Sequence, residues 1–307
     1  MKFVKPLFWK SKNIISILLY PLSLIVLIIN EFKELSLKKK FLIKTICIGN
    51  TYLGGTGKTS LAIEIQSLVK KKFKTVFIKK SYTNQLDEIN LLKIKGELIS
   101  KDSREEALYL ASKKKYELAI LDDGLQQKNI YYDLKIICFN TEDELGNNYL
   151  LPAGPLREHI SKINNYDIAF INGEKKNNKL YLKLKSINKK LQIFKGKYKP
   201  INLEKFNLKK KYLMFCGIGN PHEFEKTLVK NKFLIKEKII FPDHYKIPNE
   251  ILNNLKLKAK NENLSLITTE KDFFRLSKSQ RKNIKFLKIS LEIKDIKKFK
   301  KLLISKL

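Results

Sequence analysis

Three observations predict an α/β chain with a parallel-sheet core, a second and smaller α/β lobe, and an apolar helix ahead of both. From Lys44 onward, short apolar runs alternate with helical patterns, as in parallel strands joined by helices. The run TICIG passes through a glycine-rich loop into a helical stretch, SLAIEIQSLVKK. Near 174–206 the chain becomes lysine-rich and weakly alternating, and a second α/β set follows. Strands are expected at 45–49, 75–79, 117–122, 134–139 and 167–171, with helices near 59–70 and 104–114. In the second set, strands are expected near 211–216, 233–241, 264–268 and 285–290, with helices near 221–229, 248–260 and 293–305. The expected division is an anchoring segment at 1–40, a core at 41–178, a β-hairpin linker at 179–206 and the second lobe at 207–307. A cleft is expected between the two lobes.

The 307 residues carry a formal net charge of +33, which points first to nucleic acid or an anionic surface. Lysine is spread along the whole chain, however, and there is no aromatic RNA-binding signature, zinc-finger spacing or basic heptad region. The charge therefore reads as solvated surface, and nucleic acid is not an expected partner. The arginines are only Arg104, Arg157, Arg275 and Arg281. Where lysine serves almost everywhere, an arginine marks a place that needs a planar, bidentate donor. Cys47, Cys138 and Cys216 sit in apolar runs at no metal-binding spacing and read as core residues of a reducing compartment.

Residues 14–29, IISILLYPLSLIVLII, hold no charge. At about 1.5 Å per residue they span roughly 24 Å as a helix, short of the ~30 Å hydrocarbon core, and Pro21 interrupts them. No small-residue cleavage site follows, which argues against a signal peptide. Lysines at 2, 5, 10, 12, 33 and 38–40 flank the run, with Phe8 and Trp9 at its edge. This pattern suits a membrane anchor, by insertion or along the surface.

The loop GNTYLGGTGKTS has Tyr52 where the phosphate-loop pattern has its first glycine. The cradle itself is complete. Gly54, Gly55 and Gly57, with Thr56 between them, free backbone N–H groups for phosphate oxygens at a helix N-terminus. Lys58 reaches the β- and γ-phosphates, and the Thr59 hydroxyl suits Mg²⁺. Leu53 stands where partitioning ATPases carry a second lysine, and no N-K-x-D guanine motif exists, TEKD at 269–272 being the nearest. The expected ligand is ATP, held by residues Tyr52, Leu53, Gly54, Gly55, Thr56, Gly57, Lys58 and Thr59, on a P-loop NTPase-like core.

Asp122 and Asp123 end the run ELAIL, where acids beside a phosphate loop suit Mg²⁺ or water positioning. Asp87 and Glu88 in NQLDEINLL suit a ligand, a base or a helix N-terminus. LPAGPLRE at 151–158 is rigid enough to set Arg157 against a phosphate, and equally suits a structural turn. In the second lobe, FCGIGNPHEF, FPDHYKI with His244, and ITTEKDFFRL all fall at strand ends, where α/β folds place ligands.

In this order, GNTYLGGTGKTS, LDEINLL, LDDGLQQ, LLPAGPLRE, INGE, GIGNPHEF, FPDHY and ITTEKDFFRL resemble the tetraacyldisaccharide 4′-kinase family, whose loops also lack the first glycine. The resemblance covers most of residues 1–280, including the short N-terminal membrane segment. It implies transfer of the γ-phosphate of ATP, with Mg²⁺, to the 4′-hydroxyl of tetraacyldisaccharide 1-phosphate. The product is lipid IVA, made during lipid A biosynthesis on the cytoplasmic face of the bacterial inner membrane by a membrane-bound enzyme, expected to be a monomer. It implies Asp87 as general base and His244 as its partner, meeting as the lobes close. Glu88, Asp122 and Asp123 would serve Mg²⁺ together with Thr59, Lys58 would be catalytic, and Arg157 is the expected contact for substrate phosphate. Two departures stand out: KKSYTNQLDE replaces a Ser-Arg-Gly-Tyr-Gly-like loop, and Gln127 replaces a histidine after DDGLQ. The competing reading is a membrane-associated nucleotide-hydrolysing switch with no lipid acceptor.

Overall fold

The computed structural model describes residues 5–82, 86–174 and 178–307. In chain order the elements begin with α1 (Ile14–Leu18), α2 (Tyr20–Glu34), β1 (Lys44–Gly49), α3 (Lys58–Val69), β2 (Thr75–Lys80), α4 (Leu86–Lys95) and β3 (Leu98–Lys101). Next come α5 (Arg104–Lys113), β4 (Leu118–Asp122), β5 (Leu134–Asn140), β6 (Ile168–Asn172), α6 (Lys179–Ile187), β7 (Gln192–Pro200) and β8 (Lys211–Cys216). The chain ends with α7 (Pro221–Lys230), β9 (Leu234–Ile240), α8 (Asn249–Asn261), β10 (Ser265–Thr269), α9 (Glu270–Arg275), β11 (Ile284–Leu287), β12 (Ile289–Ile293) and α10 (Ile296–Lys306).

Two compact units emerge. The larger comprises Lys5–Ser81, Lys95–Lys197 and Leu291–Leu307, and the smaller holds Tyr82–Ile94 and Tyr198–Ser290. The larger unit is built on an eight-stranded sheet in the order β12-β7-β6-β5-β1-β4-β2-β3. β1 pairs in parallel with both β4 and β5, and its residues Ile46–Ile48 are fully buried. Strands covered on both faces read as unbroken apolar runs, which is why TICIG and ELAIL are legible. α3 packs Leu61, Ala62, Ile65 and Val69 at 0% exposure, about 1.5–3 kcal/mol for each large side chain. The smaller unit has a parallel four-stranded sheet, β11-β10-β8-β9, with apolar clusters around Phe215 and around Tyr212.

Three local expectations change. The hairpin expected at 179–206 is α6 followed by β7, which pairs in parallel with β6. KLYLKLKSI alternates, but Leu180 and Leu184 stand four apart on one helical face, and both are buried. β3 was not expected, because LISK is a four-residue edge strand with no apolar run. Pro21 does not kink one helix: α1 ends at Leu18, and α2 begins at Tyr20 with Pro21 in its first turn, where its missing N–H costs nothing. None of the described helices is long and apolar enough to cross a membrane.

α1 and α2 are inside out. Ser16 and Ser23 are buried, while Ile14, Leu18, Ile25 and Ile28 are each more than half exposed. The Ser23 hydroxyl donates to the Leu150 carbonyl (2.8 Å) and accepts from Ala153 N (3.2 Å). Trp9 Nε1 donates to Pro152 O (3.0 Å), and Asn30 Nδ2 to Arg157 O (2.8 Å). The polar side of these helices thus docks on the 147–158 loop, and the apolar side faces outward.

Candidate functional site

In the larger unit, β1 is flanked by β4 on one side and β5 on the other. This is the switch point of an open α/β sheet, where ligands bind at the carboxyl ends of strands. The loop 50–57 leaves β1 there. Gly57, with φ 86°, turns the chain into α3 in a conformation that side-chain-bearing residues adopt only with strain. Asn50 Nδ2 donates to the carbonyls of Tyr52 (2.5 Å) and Gly54 (3.1 Å), and Asn140 Nδ2 to that of Gly55 (2.9 Å). With these carbonyls turned away, the loop's remaining N–H groups are the groups left for an anion.

Tyr52 has its own work. It is 4% exposed, forms an antiparallel bridge with Leu156, and carries the Lys5 ammonium 5.0 Å from its ring. Leu53 N donates to Pro155 O (2.8 Å), and Arg157 N to Thr51 O (2.6 Å). A glycine at Tyr52 supplies none of this side-chain packing. LPAGPLRE is therefore a brace for the loop entry, which its spacing left undecided.

Asp122 ends β4 opposite Ile48 and is fully buried. Its Oδ2 accepts from the Thr59 hydroxyl (2.9 Å) and from Lys79 Nζ (2.8 Å), whereas its Oδ1 is buried with no hydrogen-bond partner. Asp123 has φ 61°, a left-handed conformation uncommon outside glycine that gathers at functional sites. Its carboxylate faces Arg157 Nη1 (3.1 Å) and Lys58 Nζ (3.7 Å), and its carbonyl accepts from Arg104 Nη2 (2.6 Å). Gln127 accepts from Arg104 Nη1 at 3.3 Å, so it tethers that arginine. Thr59, Asp122 and Asp123 thus come together beside Lys58 and Arg157. Glu88 stands in the other unit.

No group of three or more His, Cys, Asp or Glu able to hold a metal occurs among the described residues. A hydroxyl and a carboxylate beside a phosphate loop suit Mg²⁺, which keeps water and phosphate oxygens as most of its ligands. The orphaned Oδ1 of Asp122 fits that use.

The smaller unit holds a second cluster. Asp87, in the first turn of α4, is 1% exposed. Its Oδ1 meets His244 Nδ1 at 3.0 Å, and its Oδ2 accepts from Arg275 Nη2 at 2.7 Å with Lys271 Nζ at 3.4 Å. Lys271 also binds Glu88 Oε1 (2.9 Å) and approaches His244 Nε2 (3.5 Å). Arg275 continues to Asp272 Oδ1 (2.7 Å), and Asp272 Oδ2 accepts from Gly217 N (3.1 Å). Gly217 permits this approach, since a Cβ there sits 3.0 Å from Pro242 O and 3.1 Å from Arg275 Nη1. Burial tends to raise the Asp87 pKa, but Lys271, His244 and Arg275 outweigh it and hold the carboxyl well below the usual carboxylate range. His244, with φ 59°, is the second non-glycine residue of these sites in a left-handed conformation.

The meeting of Asp87 and His244 was expected only on lobe closure. Both lie within the smaller unit and are already in contact, because α4 packs with the 198–290 segment. Residues 83–85 of the departing loop, and Lys2 of the basic flank, lie outside the described residues. Sequence reasoning missed Lys79, Lys271 and Arg275 as partners of the acids. Arginine scarcity was a signal for Arg275, while nothing separates Lys79 or Lys271 from the other lysines. Cys47, Cys138 and Cys216 are free and buried, and burial pushes the Cys47 thiol up to about 12, so it packs as a core residue.

Residues 15–307 match the sequence profile of the tetraacyldisaccharide-1-P 4′-kinase family. A tetraacyldisaccharide 4′-kinase of Pelagibacter ubique (strain HTCC1062) is 42% identical over 301 residues, covering 97% of this chain and 96% of that one. A tetraacyldisaccharide 4′-kinase of Rickettsia bellii (strain OSU 85-389) is 31% identical, covering 91% of each chain. The crystal structure of LpxK from Aquifex aeolicus in complex with ATP superposes with a TM-score of 0.71 over 95% of this chain and 99% of that one. At 22% identity it bears on the fold alone, an α/β core with a large parallel sheet. With a profile match over nearly its whole length and relatives above 30% identity, this chain belongs to the tetraacyldisaccharide-1-P 4′-kinase family.

Proposed function

We propose that this protein transfers the γ-phosphate of ATP to the 4′-hydroxyl of tetraacyldisaccharide 1-phosphate, forming lipid IVA in lipid A biosynthesis. Beyond family membership, the reading is carried by the Asp87–His244 contact at 3.0 Å, a proton acceptor that a nucleotide switch does not need. The hydroxyl oxygen bonds to the γ-phosphorus as the bridging bond to ADP breaks, and its proton passes to the pair. Asp87 is the base and carries the charge, while the partly exposed ring of His244 is the pair's face to solvent. Lys58 and the loop N–H groups hold the transferring phosphoryl group. Thr59 and Asp122 would hold Mg²⁺, with Asp123 acting on the water around it. When bound, the ion neutralises charge on the phosphates. Arg157, which pairs with Asp123, would exchange that partner for a substrate phosphate.

Incubation of wild type and Lys58→Ala with labelled Mg·ATP and tetraacyldisaccharide 1-phosphate in detergent micelles tests the reading. Wild type is expected to yield a labelled bis-phosphorylated lipid and the variant less than about a hundredth of it, the scale of losing a phosphate clamp. ATP hydrolysis with no lipid product, indifferent to added lipid, returns the reading to the nucleotide switch.

The outward apolar face of α1 and α2 supports attachment to the inner membrane at its cytoplasmic surface. Exposed isoleucines above buried serines, with lysines at either end, suit an interfacial helix pair at anionic headgroups. Ile25→Glu with Ile28→Glu is expected to abolish co-sedimentation with phospholipid vesicles and leave turnover in micelles within about twofold, since surface changes rarely disturb a fold. Unchanged vesicle binding removes the anchor from this face.

A further inference from the structure

Lys79 is the second-last residue of β2, one residue beyond the Ile78–Leu121 register pair, and so comes level with Asp122 on the neighbouring strand. It is only 2% exposed. Its Nζ lies 2.8 Å from Asp122 Oδ2, the oxygen that also accepts from Thr59, while Oδ1 of the same carboxylate is buried and unpartnered. A buried ammonium persists because it is paired, and each member of such a pair fixes the other. The neighbouring Asp123 is balanced separately, by Arg157 and Lys58.

We propose that Lys79 is a positioning residue that makes metal binding at Asp122 conditional on the nucleotide. This rests on the reading of Thr59 and Asp122 as the pair that meets the nucleotide's metal. Lys79 already gives Asp122 its positive charge. A divalent cation arriving alone at Oδ1 is drawn by one carboxylate and repelled by an ammonium on that carboxylate's other oxygen. With a single hydroxyl as further protein donor, the balance is against the ion. Nucleotide phosphates add the negative charge that reverses it. Lys79 and Thr59 meanwhile keep Oδ2 occupied, so Asp122 is held in one orientation before and after loading. The lysine in the departing KKSYT segment thus sets the order of loading.

Mn²⁺ serves as the probe, its free concentration read by electron paramagnetic resonance, with wild type, Lys79→Gln and Lys79→Arg. Wild type and Lys79→Arg are expected to bind Mn²⁺ only when a non-hydrolysable ATP analogue is present. Lys79→Gln keeps a hydrogen-bond donor but not the charge. It is expected to bind Mn²⁺ without nucleotide at least about tenfold more tightly than wild type, because a full charge a few ångströms away in a buried site acts strongly. Its melting temperature is expected to rise with Mn²⁺ alone. Equal nucleotide-free affinities in Lys79→Gln and wild type overturn the proposal, as does tight nucleotide-free binding by wild type. Lys79→Gln that folds only in the presence of Mn²⁺ supports it. If Lys79→Gln does not fold at all, the charge-neutral pair Lys79→Gln with Asp122→Asn decides: recovery of folding shows that Lys79 acts through Asp122, and no recovery overturns the proposal. Failure of every protein to bind Mn²⁺ even with the analogue instead removes the metal reading of Asp122 itself.

Discussion

Asp87→Ala and His244→Ala are each expected to lower kcat for lipid phosphorylation by about 10²–10⁴-fold, the range for a positioned general base. The double variant is expected to be no more than about threefold worse than the weaker single, since groups that act as one unit lose their effect once. Nucleotide affinity is expected to stay within about twofold of wild type, because the contacts that shape the phosphate loop come from Asn50, Asn140, Pro155 and Leu156. Initial rates across lipid concentrations, with equilibrium binding of a fluorescent ATP analogue, separate the two effects. Additive losses from the single changes argue against a shared proton, and a lost nucleotide affinity argues that the pair is structural.

Arg275→Met is expected to destabilise the smaller unit by about 3–5 kcal/mol, the cost of leaving a buried carboxylate without its cation. Two carboxylates depend on this guanidinium, Asp87 and Asp272, each at 2.7 Å and each 1% exposed. The same arginine donates to the carbonyls of Gly217 and Tyr245 at 3.2 Å, so it also fixes the loops that carry His244. The sign with pH follows from Asp87, whose folded pKa is depressed. Its contribution is present above the unfolded value near 4 and is lost as pH falls below that value toward the folded one. Denaturant unfolding of wild type and variant at neutral pH and near pH 3 reads this directly: the gap narrows in acid. A gap that is the same at both pH values assigns Arg275 to packing and removes Asp87 from the account.

How much of this was legible depends on the residue. TICIG, the glycines of the phosphate loop and the acids after ELAIL stand out because a fully buried parallel strand and a tight anion loop each tolerate few side chains. Asp87 alone reads as an ordinary acid in a first helical turn, and only the resemblance paired it with a histidine 157 positions away. Lys79 falls at the end of an expected apolar strand, and Lys271 is one more lysine in a lysine-rich chain. Composition hides a functional lysine here and exposes a functional arginine: Arg104 and Arg157 touch Asp123, and Arg275 touches Asp87. KLYLKLKSI fits both a strand and a helix by spacing, and its packing against the large sheet decides for the helix.

The segment 147–158 touches two things at once. On one side it bridges Tyr52 and braces the phosphate loop, and on the other it receives Trp9, Ser23 and Asn30 from the N-terminal helices. Under the proposed attachment of that apolar face to lipid, this segment would work as a depth gauge. The height of the phosphate loop above the bilayer would then follow from these hydrogen bonds within the larger unit. An acceptor whose acyl chains stay in the lipid offers its sugar at one level only. Acceptors would thus be sorted by how far their hydroxyl stands from the membrane.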